Sequence, residues 1–501
     1  MKARIMTGLA LALSASTVLA QAALAQDAVP QASNSWYQAG QITLAEKLAE
    51  QPNTAKAKNI ILMISDGNGV GTNYATRLYY GQKDGGFGDE AVLPQEHFPN
   101  LALVKTYNVN AQTPDSAGTG TAMHAGVKTK AGVIGVSEGL NRGDCSQVEA
   151  NKVKSIVSVM DEMGKSVGVV STARLTHATS ASAYAHSADR DFEDNTSLPE
   201  GCSVKDIADQ LIDAMKAGTV DIAMGGGRRH FLPSNVTDSE GEPGQRTDGR
   251  NLLEEAASAG VQIVFNDTEF AALPMADNAS VLGLFESSHM KFEHDRTGEP
   301  SLAEMVEASI KGLQNNENGF FLTVEAGRVD HALHDGNLYR AVTDGVAFAE
   351  AVAKAAELTN AQDTLIIVTA DHEHAIAFNG YCGRGTPITG LCYGIDKAGI
   401  KHLDTPKTAK DGQPYTVVGY LNGASSVLRK DMNYAGVRPA ITQEEVTDPD
   451  YLQQALIPMA GETHSGEDVA VYARGPWAHL FDGTIEQNFI FHVMKYAAEA
   501  N

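Results

Sequence analysis

A three-layer α/β sandwich with a mostly parallel central sheet and one inserted subdomain is the fold this sequence predicts. From Asn59 onwards, short apolar runs alternate with helix-patterned stretches, the rhythm of buried strands joined by crossover helices. That rhythm stops near residue 379 and resumes at Glu467, as an insertion into one unit requires. Three acidic residues stand just past separate strand candidates, where open α/β sheets bind their ligands.

The elements follow in order. Lys2 and Arg4, an apolar run from Ile5 to Leu19 and the small residues Ala23-Leu24-Ala25 read as a secretory leader over 1–25. The apolar run is short and broken by Ser and Thr, so no stable membrane span is expected, and the mature chain is expected to be periplasmic or secreted. Residues 26–58 form an N-terminal arm with an amphipathic helix around Ile42–Leu48. Strands are expected at 59–65, 101–106, 167–171, 220–224, 261–265, 320–324, 365–369 and 469–473. Helices are expected at 116–125, 152–163, 204–216, 302–313, 338–358 and 485–498. The core therefore runs over 59–378 and again over 461–501, with the Gly-, Pro- and Thr-rich insertion at 379–460 between them. MGGGRRH at 224–230 lacks the Lys-Ser/Thr ending of a phosphate-binding loop and reads as a strand-to-loop turn.

The 501-residue chain carries a formal net charge of −24, which disfavours nucleic acid as a general partner. An anionic substrate remains compatible, because bound divalent cations reverse the sign of a pocket. Four cysteines in an exported chain suggest two disulfides. Cys382 and Cys392 flank one Gly-rich loop, and Cys145 pairs with Cys202, each in a polar Gly-containing loop; four free thiols is the alternative.

The chemistry concentrates in a few places. Pro114-Asp115 before Ser116 signals a helix start, where free N–H groups and the helix dipole favour negative charge. Ser116 can then be an anion-binding hydroxyl, a nucleophile or a plain cap. Asp66, Glu325 and Asp371 end three strand candidates, and carboxylates so gathered require cations. His372 adjoins Asp371, Asp330 and His334 lie four apart on one helical face, and His464 precedes the last strand of the core. Mixed imidazole and carboxylate donors suit zinc, and oxygen donors suit magnesium.

Six ordered motifs carry a resemblance to the alkaline phosphatase family over nearly the whole mature length. They are SDGNG at 65–69, TPDSAGTGTA at 113–122, THATSASAYAHSADRDF at 176–192, VEAGRVDHALH at 324–334, VTADHEHA at 368–375 and ETHSGEDVAVYARGP at 462–476. The resemblance implies a metal-dependent phosphomonoesterase working through a phosphoserine at Ser116, with Arg190 clamping phosphate oxygens. It implies two Zn2+ and one Mg2+ per chain: Asp330, His334 and His464 on one zinc, Asp66, Asp371 and His372 on the other. Asp66 then bridges to the magnesium, completed by Glu325 and Thr179. His177 and His331 match animal-type members and imply a supporting place near metal and phosphate. Phe285, Glu286 and Glu299 resemble part of an animal-type calcium site, but the remaining acid is not clear around Glu242, and a solvated acidic loop is the stronger reading. The family also implies a homodimer, a crown-like subdomain at 379–460, and small phosphate monoesters as substrates. The rivals are a phosphodiesterase or sulfatase of the same wider superfamily, and a secreted metal- or phosphate-binding protein without turnover.

Overall fold

The computed structural model describes residues 29–274, 280–399, 402–428, 430–433 and 436–500, so the leader at 1–25 lies outside the described residues. The chain up to Pro52 and the chain from Asn53 onwards are two separate compact units. In the first, helix α1 (Ser35–Ala49) is capped by Asn34, whose side chain accepts the Trp36 N–H. The expected amphipathic face is absent: none of its residues is buried, and Trp36, Ile42, Leu44 and Leu48 are exposed at positions spread around the helix.

The second unit is built on a ten-stranded sheet. In chain order its first six strands are β1 (Asn59–Ser65), β2 (Asn100–Lys105), β3 (Ser166–Arg174), β4 (Ile222–Gly226), β5 (Gln262–Val264) and β6 (Val281–Leu284). Helix α2 (Ser116–Ala125) lies between β2 and β3. Then come α3 (Leu302–Leu313), β7 (Phe320–Ala326), α4 (Arg328–His334), α5 (Leu338–Leu358) and β8 (Thr364–Thr369). The chain closes with β9 (Val469–Arg474), β10 (Thr484–Glu486) and α6 (Phe489–Glu499). The spatial order is β10-β2-β9-β8-β1-β7-β3-β4-β6-β5, and only β9 runs against the rest.

Alternation along β1 makes the three layers. Ile60, Leu62 and Ile64 enter one apolar cluster with residues of α2, the helix Ile207–Ala217 and α6. Ile61 and Met63 enter the other, with α3, α4 and α5. All five side chains are fully buried. Each burial is worth about 1.5–3 kcal/mol, and truncating such a residue to Ala costs about 2–5 kcal/mol.

Local signals set the helix bounds. The expected helix 152–163 starts at Ile156, because the Ser155 side chain accepts the Ser158 N–H and breaks the chain there. The one at 204–216 runs Ile207–Ala217 between an Asp206 cap and Gly218 at φ 77°. The last helix starts at Phe489, since Thr484–Glu486 pairs instead with Leu103–Lys105. Strand β6 and a helix at Val70–Lys83 went unforeseen. Both disulfides form as expected, Cys145–Cys202 and Cys382–Cys392. Within 379–460 the chain adds Val418–Gly423 to the strands Ile376–Phe378 and Ala455–Pro458, and pairs Tyr393–Ile395 with His402–Pro406.

Candidate metal centre

The sheet brings its acids to one rim. Asp66 follows β1, Glu325 is the penultimate residue of β7, and Asp371 and His372 lie just past β8. Those three strands are neighbours, with Ile64 level with both Glu325 and Thr369. α4 sets Asp330 and His334 one turn apart. His464 returns to the rim by pairing with His374, through the two-residue strands His464–Ser465 and Glu373–His374. Ser116 opens α2, with Asp115 as its cap accepting the Gly118 N–H at 3.1 Å. Every strand-end and helix-start residue singled out in the sequence therefore reaches one neighbourhood.

The hydrogen bonds show what the neighbourhood wants. His334 Nδ1 donates to the Glu462 carbonyl at 2.6 Å, and His464 Nδ1 donates to the Pro114 carbonyl at 2.9 Å. A carbonyl only accepts, so both Nδ1 atoms carry the proton and both Nε2 atoms are bare in the neutral ring. Those Nε2 atoms lie 3.0 Å apart, at 3.4 Å (His334) and 3.2 Å (His464) from Asp330 Oδ1. Burial holds His334 below its ordinary pKa, in the neutral form. Three lone pairs converging without a proton between them fit a cation.

A second group adjoins it. His372 Nε2 is 3.2 Å from Ser116 Oγ, and 3.3 Å from both Asp66 Oδ1 and Asp371 Oδ2. Asp371 also accepts the Thr119 hydroxyl at 3.0 Å and the Gly67 N–H at 3.1 Å. Burial, then the charges of Asp371, Asp330 and Glu325, push Asp66 well above the usual carboxylate range. Asp66 Oδ1, Glu325 Oε1 and His372 Nδ1 are buried without a hydrogen-bond partner, which suits oxygen and nitrogen donors arranged for a metal. Thr179 Oγ1 stands 3.4 Å from Asp66 Oδ2, and Glu325 Oε2 accepts the hydroxyls of Ser171 (2.7 Å) and Ser180 (2.5 Å).

Ligand atoms of Asp330, His334, His374 and His464 lie within 4.8 Å of one another, as do those of Asp66, Asp330 and His372, and those of Asp66, His177 and Glu325. Asp66 thus belongs to two groups, as a bridging residue would. His177 has a ring nitrogen within 4.8 Å of carboxylate oxygens of Asp66 and Glu325. A cavity of about 440 Å³ opens over the groups, lined among others by Ser116, His177, Arg190, His331, His334 and His464. Arg190 is aimed there by Asp115, 3.1 Å from its Nη1, while its Nη2 meets His177 Nε2 at 3.2 Å.

Several contributors escaped the sequence reading. His374 joins two carboxylates, with Nδ1 on Glu462 at 2.5 Å and Nε2 on Asp330 at 2.8 Å. Burial alone would lower its pKa, but these two hydrogen bonds carry it up to about 10. His374 and Glu462 sit inside VTADHEHA and ETHSGEDV, so the motifs held a signal that position at a strand end did not add to. Asp115 was read only as a helix signal. His289 carries no motif, yet its ring lies 4.0 Å from that of His331 and 5.2 Å from that of His177. At the end of β6, Glu286 Oε1 lies 3.0 Å from Lys291 Nζ, and Glu299 Oε1 accepts the Lys291 N–H at 2.8 Å.

A mostly parallel sheet whose carboxyl rim collects carboxylates and imidazoles around a serine at a helix start defines an α/β protein with metal-binding groups. The chain belongs to the alkaline phosphatase family, whose sequence model matches residues 57–500, and it is a phosphate-monoester hydrolase. It is 43% identical to the tissue-nonspecific alkaline phosphatase of Rattus norvegicus over 479 residues, covering 92% of this chain and 88% of that one. It is 41% identical to the alkaline phosphatase of Gadus morhua over 490 residues, covering 94% and 98%. Among solved structures, the alkaline phosphatase of Thermus thermophilus superposes with a TM-score of 0.63 at 21% identity, covering 91% of this chain and 94% of that one. That of the Antarctic bacterium TAB5 gives 0.59 at 22%, covering 89% and 99%, which shows the same fold.

Proposed function

We propose that the enzyme transfers the phosphoryl group of a monoester to Ser116 and then to water, with two Zn2+ and one Mg2+ per chain. Asp330, His334 and His464 would hold one zinc, and Asp66, Asp371 and His372 the other. Asp66, Thr179 and Glu325 would hold the magnesium, with His177 beside them. When bound, these cations supply Lewis-acid charge that acidifies a hydroxyl or a water and offsets charge on the phosphoryl oxygens. The observation that carries the reading is the convergence of the bare His334 and His464 Nε2 atoms on Asp330 Oδ1.

The residues divide the work. Ser116 Oγ, in the first turn of α2, gives up its proton to water and attacks phosphorus as the bond to the leaving alkoxide breaks, and the alkoxide takes a proton from water to leave as the free alcohol. Water then attacks the phosphoserine from the opposite side, releasing inorganic phosphate and restoring the Ser116 hydroxyl. Arg190, oriented by Asp115, offers its planar fork to two non-bridging oxygens in both steps. The N-terminal dipole of α2 adds to that attraction. His177 and His331 line the cavity as neutral rings, because burial pushes both down, His331 to about 3.

Export by the leader at 1–25, to the periplasm or beyond, accords with two disulfides, and no helix among the described residues is long and apolar enough to cross a membrane. A homodimer, with 379–460 as its crown-like subdomain and α1 reaching the partner, accords with an α1 that buries none of its residues. Acid quenching during turnover, followed by mass spectrometry, should find phosphate on Ser116. A phosphate-free Ser116 under steady turnover would exclude the covalent route. Turnover of a monoester should far exceed that of a diester or a sulfate ester.

A further inference from the structure

Behind the second group of ligands, a short segment ties that group to the helix carrying the serine. Gln487 and Asn488 stand between β10 and α6, and Gln487 is 1% exposed. Gln487 Nε2 donates to the Asp371 carbonyl at 2.8 Å, and its Oε1 has no hydrogen-bond partner. Asn488 Nδ2 donates to the Gly126 carbonyl at 3.1 Å, on the residue that caps the C-terminus of α2. Gly126 has φ 73°, and a Cβ there would stand 2.5 Å from the Phe491 ring, so α6 rests directly on that turn.

These contacts close a circuit. The Asp371 carboxylate is held from the other side by Thr119, one turn beyond Ser116 in α2, whose hydroxyl donates to Oδ2 at 3.0 Å. Adjacent residues of one segment therefore grip the backbone of a ligand-bearing strand end and the end of the serine's helix. Between those two elements lies the 3.2 Å separation of Ser116 Oγ and His372 Nε2. Packing alone calls for no amide at 487, because burying one with its oxygen unsatisfied costs more than burying an apolar side chain of like size.

We propose that Gln487 and Asn488 are positioning residues that fix the second metal group against Ser116. Gln487 acts through the Asp371 carbonyl, and Asn488 through the C-terminal turn of α2. Partners behind a metal ligand tune affinity or activity by about 10- to 100-fold, and a reacting atom misplaced by about 1 Å costs about 100-fold in rate. Neither residue lines the cavity over the groups, so substrate binding should be spared. The metal half of the inference rests on the two-zinc reading of the rim; the rate half does not.

Protein saturated with Zn2+ and Mg2+ is assayed for kcat and KM on a monoester, and for zinc released to a chelator of graded concentration. Gln487→Met should lower kcat by about 10- to 100-fold, with KM within about 2-fold of the native value. One of its two zinc ions should leave at about 10-fold lower chelator concentration, and the other as in the native protein. Asn488→Ala should lower kcat by about 3- to 10-fold with native zinc release, because it frees α2 and not the ligand. Val493→Ala thins the buried face of α6 and is the control for a merely structural role: it should melt lower with kcat and zinc release unchanged. A folded Gln487→Met variant with native kcat or native zinc release would overturn the proposal. So would an equal loss of kcat in Val493→Ala. Should Gln487→Met not fold, a native kcat in Asn488→Ala would overturn it. Full hydrolysis by metal-free native protein would instead sink the two-zinc reading, and the kcat comparison would still decide whether the segment positions Ser116.

Discussion

Two clusters of acids in this molecule meet their electrostatic problem differently. At the sheet rim, Asp66, Asp330, Glu325 and Asp371 lie buried among imidazoles and hydroxyls, and several donor atoms there have no hydrogen-bond partner. Between β6 and α3, Glu286 pairs with Lys291 and Glu299 accepts the Lys291 N–H, while between β4 and β5 the exposed Glu240 pairs with the buried Arg228. The rim takes all four of its carboxylates out of water and the second cluster takes Glu299, which is costly unless positive charge is supplied. Ammonium and guanidinium groups supply it permanently and have no position left for substrate. Imidazoles supply lone pairs instead, so the charge must come from ions that can also act on a substrate. The difference separates a site that fastens a loop from one that performs chemistry.

The predictions test that contrast. Ser116→Ala should lower monoester turnover by about 1,000-fold or more while metal content, read by elemental analysis, stays unchanged. Glu462→Gln removes the carboxylate that orients His374 against Asp330. It should weaken metal affinity by about 10- to 100-fold in a chelator competition, with the fold intact by circular dichroism. Asp115→Asn should raise KM for the monoester and Ki for inorganic phosphate together, because it loosens Arg190 and removes one of its ion-pair partners.

A separate effect concerns His124 in α2, a buried imidazole satisfied wholly by protein. Its Nδ1 meets the Gly120 carbonyl at 3.1 Å and Ser182 Oγ at 3.0 Å, and Nε2 meets Thr323 Oγ1 at 3.0 Å. Burial lowers its pKa to about 4 from 6.5. The folded state therefore binds fewer protons than the unfolded state between those values, and stability falls as pH drops from about 6.5 to about 4. The loss amounts to about 3 kcal/mol at the acid end. His124→Gln should flatten that limb of a denaturation-versus-pH curve.

Much of the site was legible because strand ends are conspicuous. NIILMIS and TLIIVT are unbroken β-branched and aliphatic runs, so Asp66 and Asp371 announce themselves as the residues that follow. Where the signal is an interaction between distant side chains, the sequence was silent. His289 and Lys291 lie in a loop with no periodicity, and their meaning comes only from what β6 places opposite them. β6 itself is four residues with a glycine among them, too short to outweigh its surroundings. The helix Val70–Lys83 was obscured by glycines, threonines and tyrosines that fit a loop equally well.

The central claim is that the bare imidazole nitrogens and crowded carboxylates at the sheet rim are metal ligands on which hydrolysis depends. Metal analysis of the purified protein, paired with monoester hydrolysis before and after chelation and after returning zinc and magnesium, tests it most directly. About two zinc ions and one magnesium per chain, activity lost on chelation and regained only when metal returns, is the predicted outcome. Full hydrolysis by metal-free protein would contradict it.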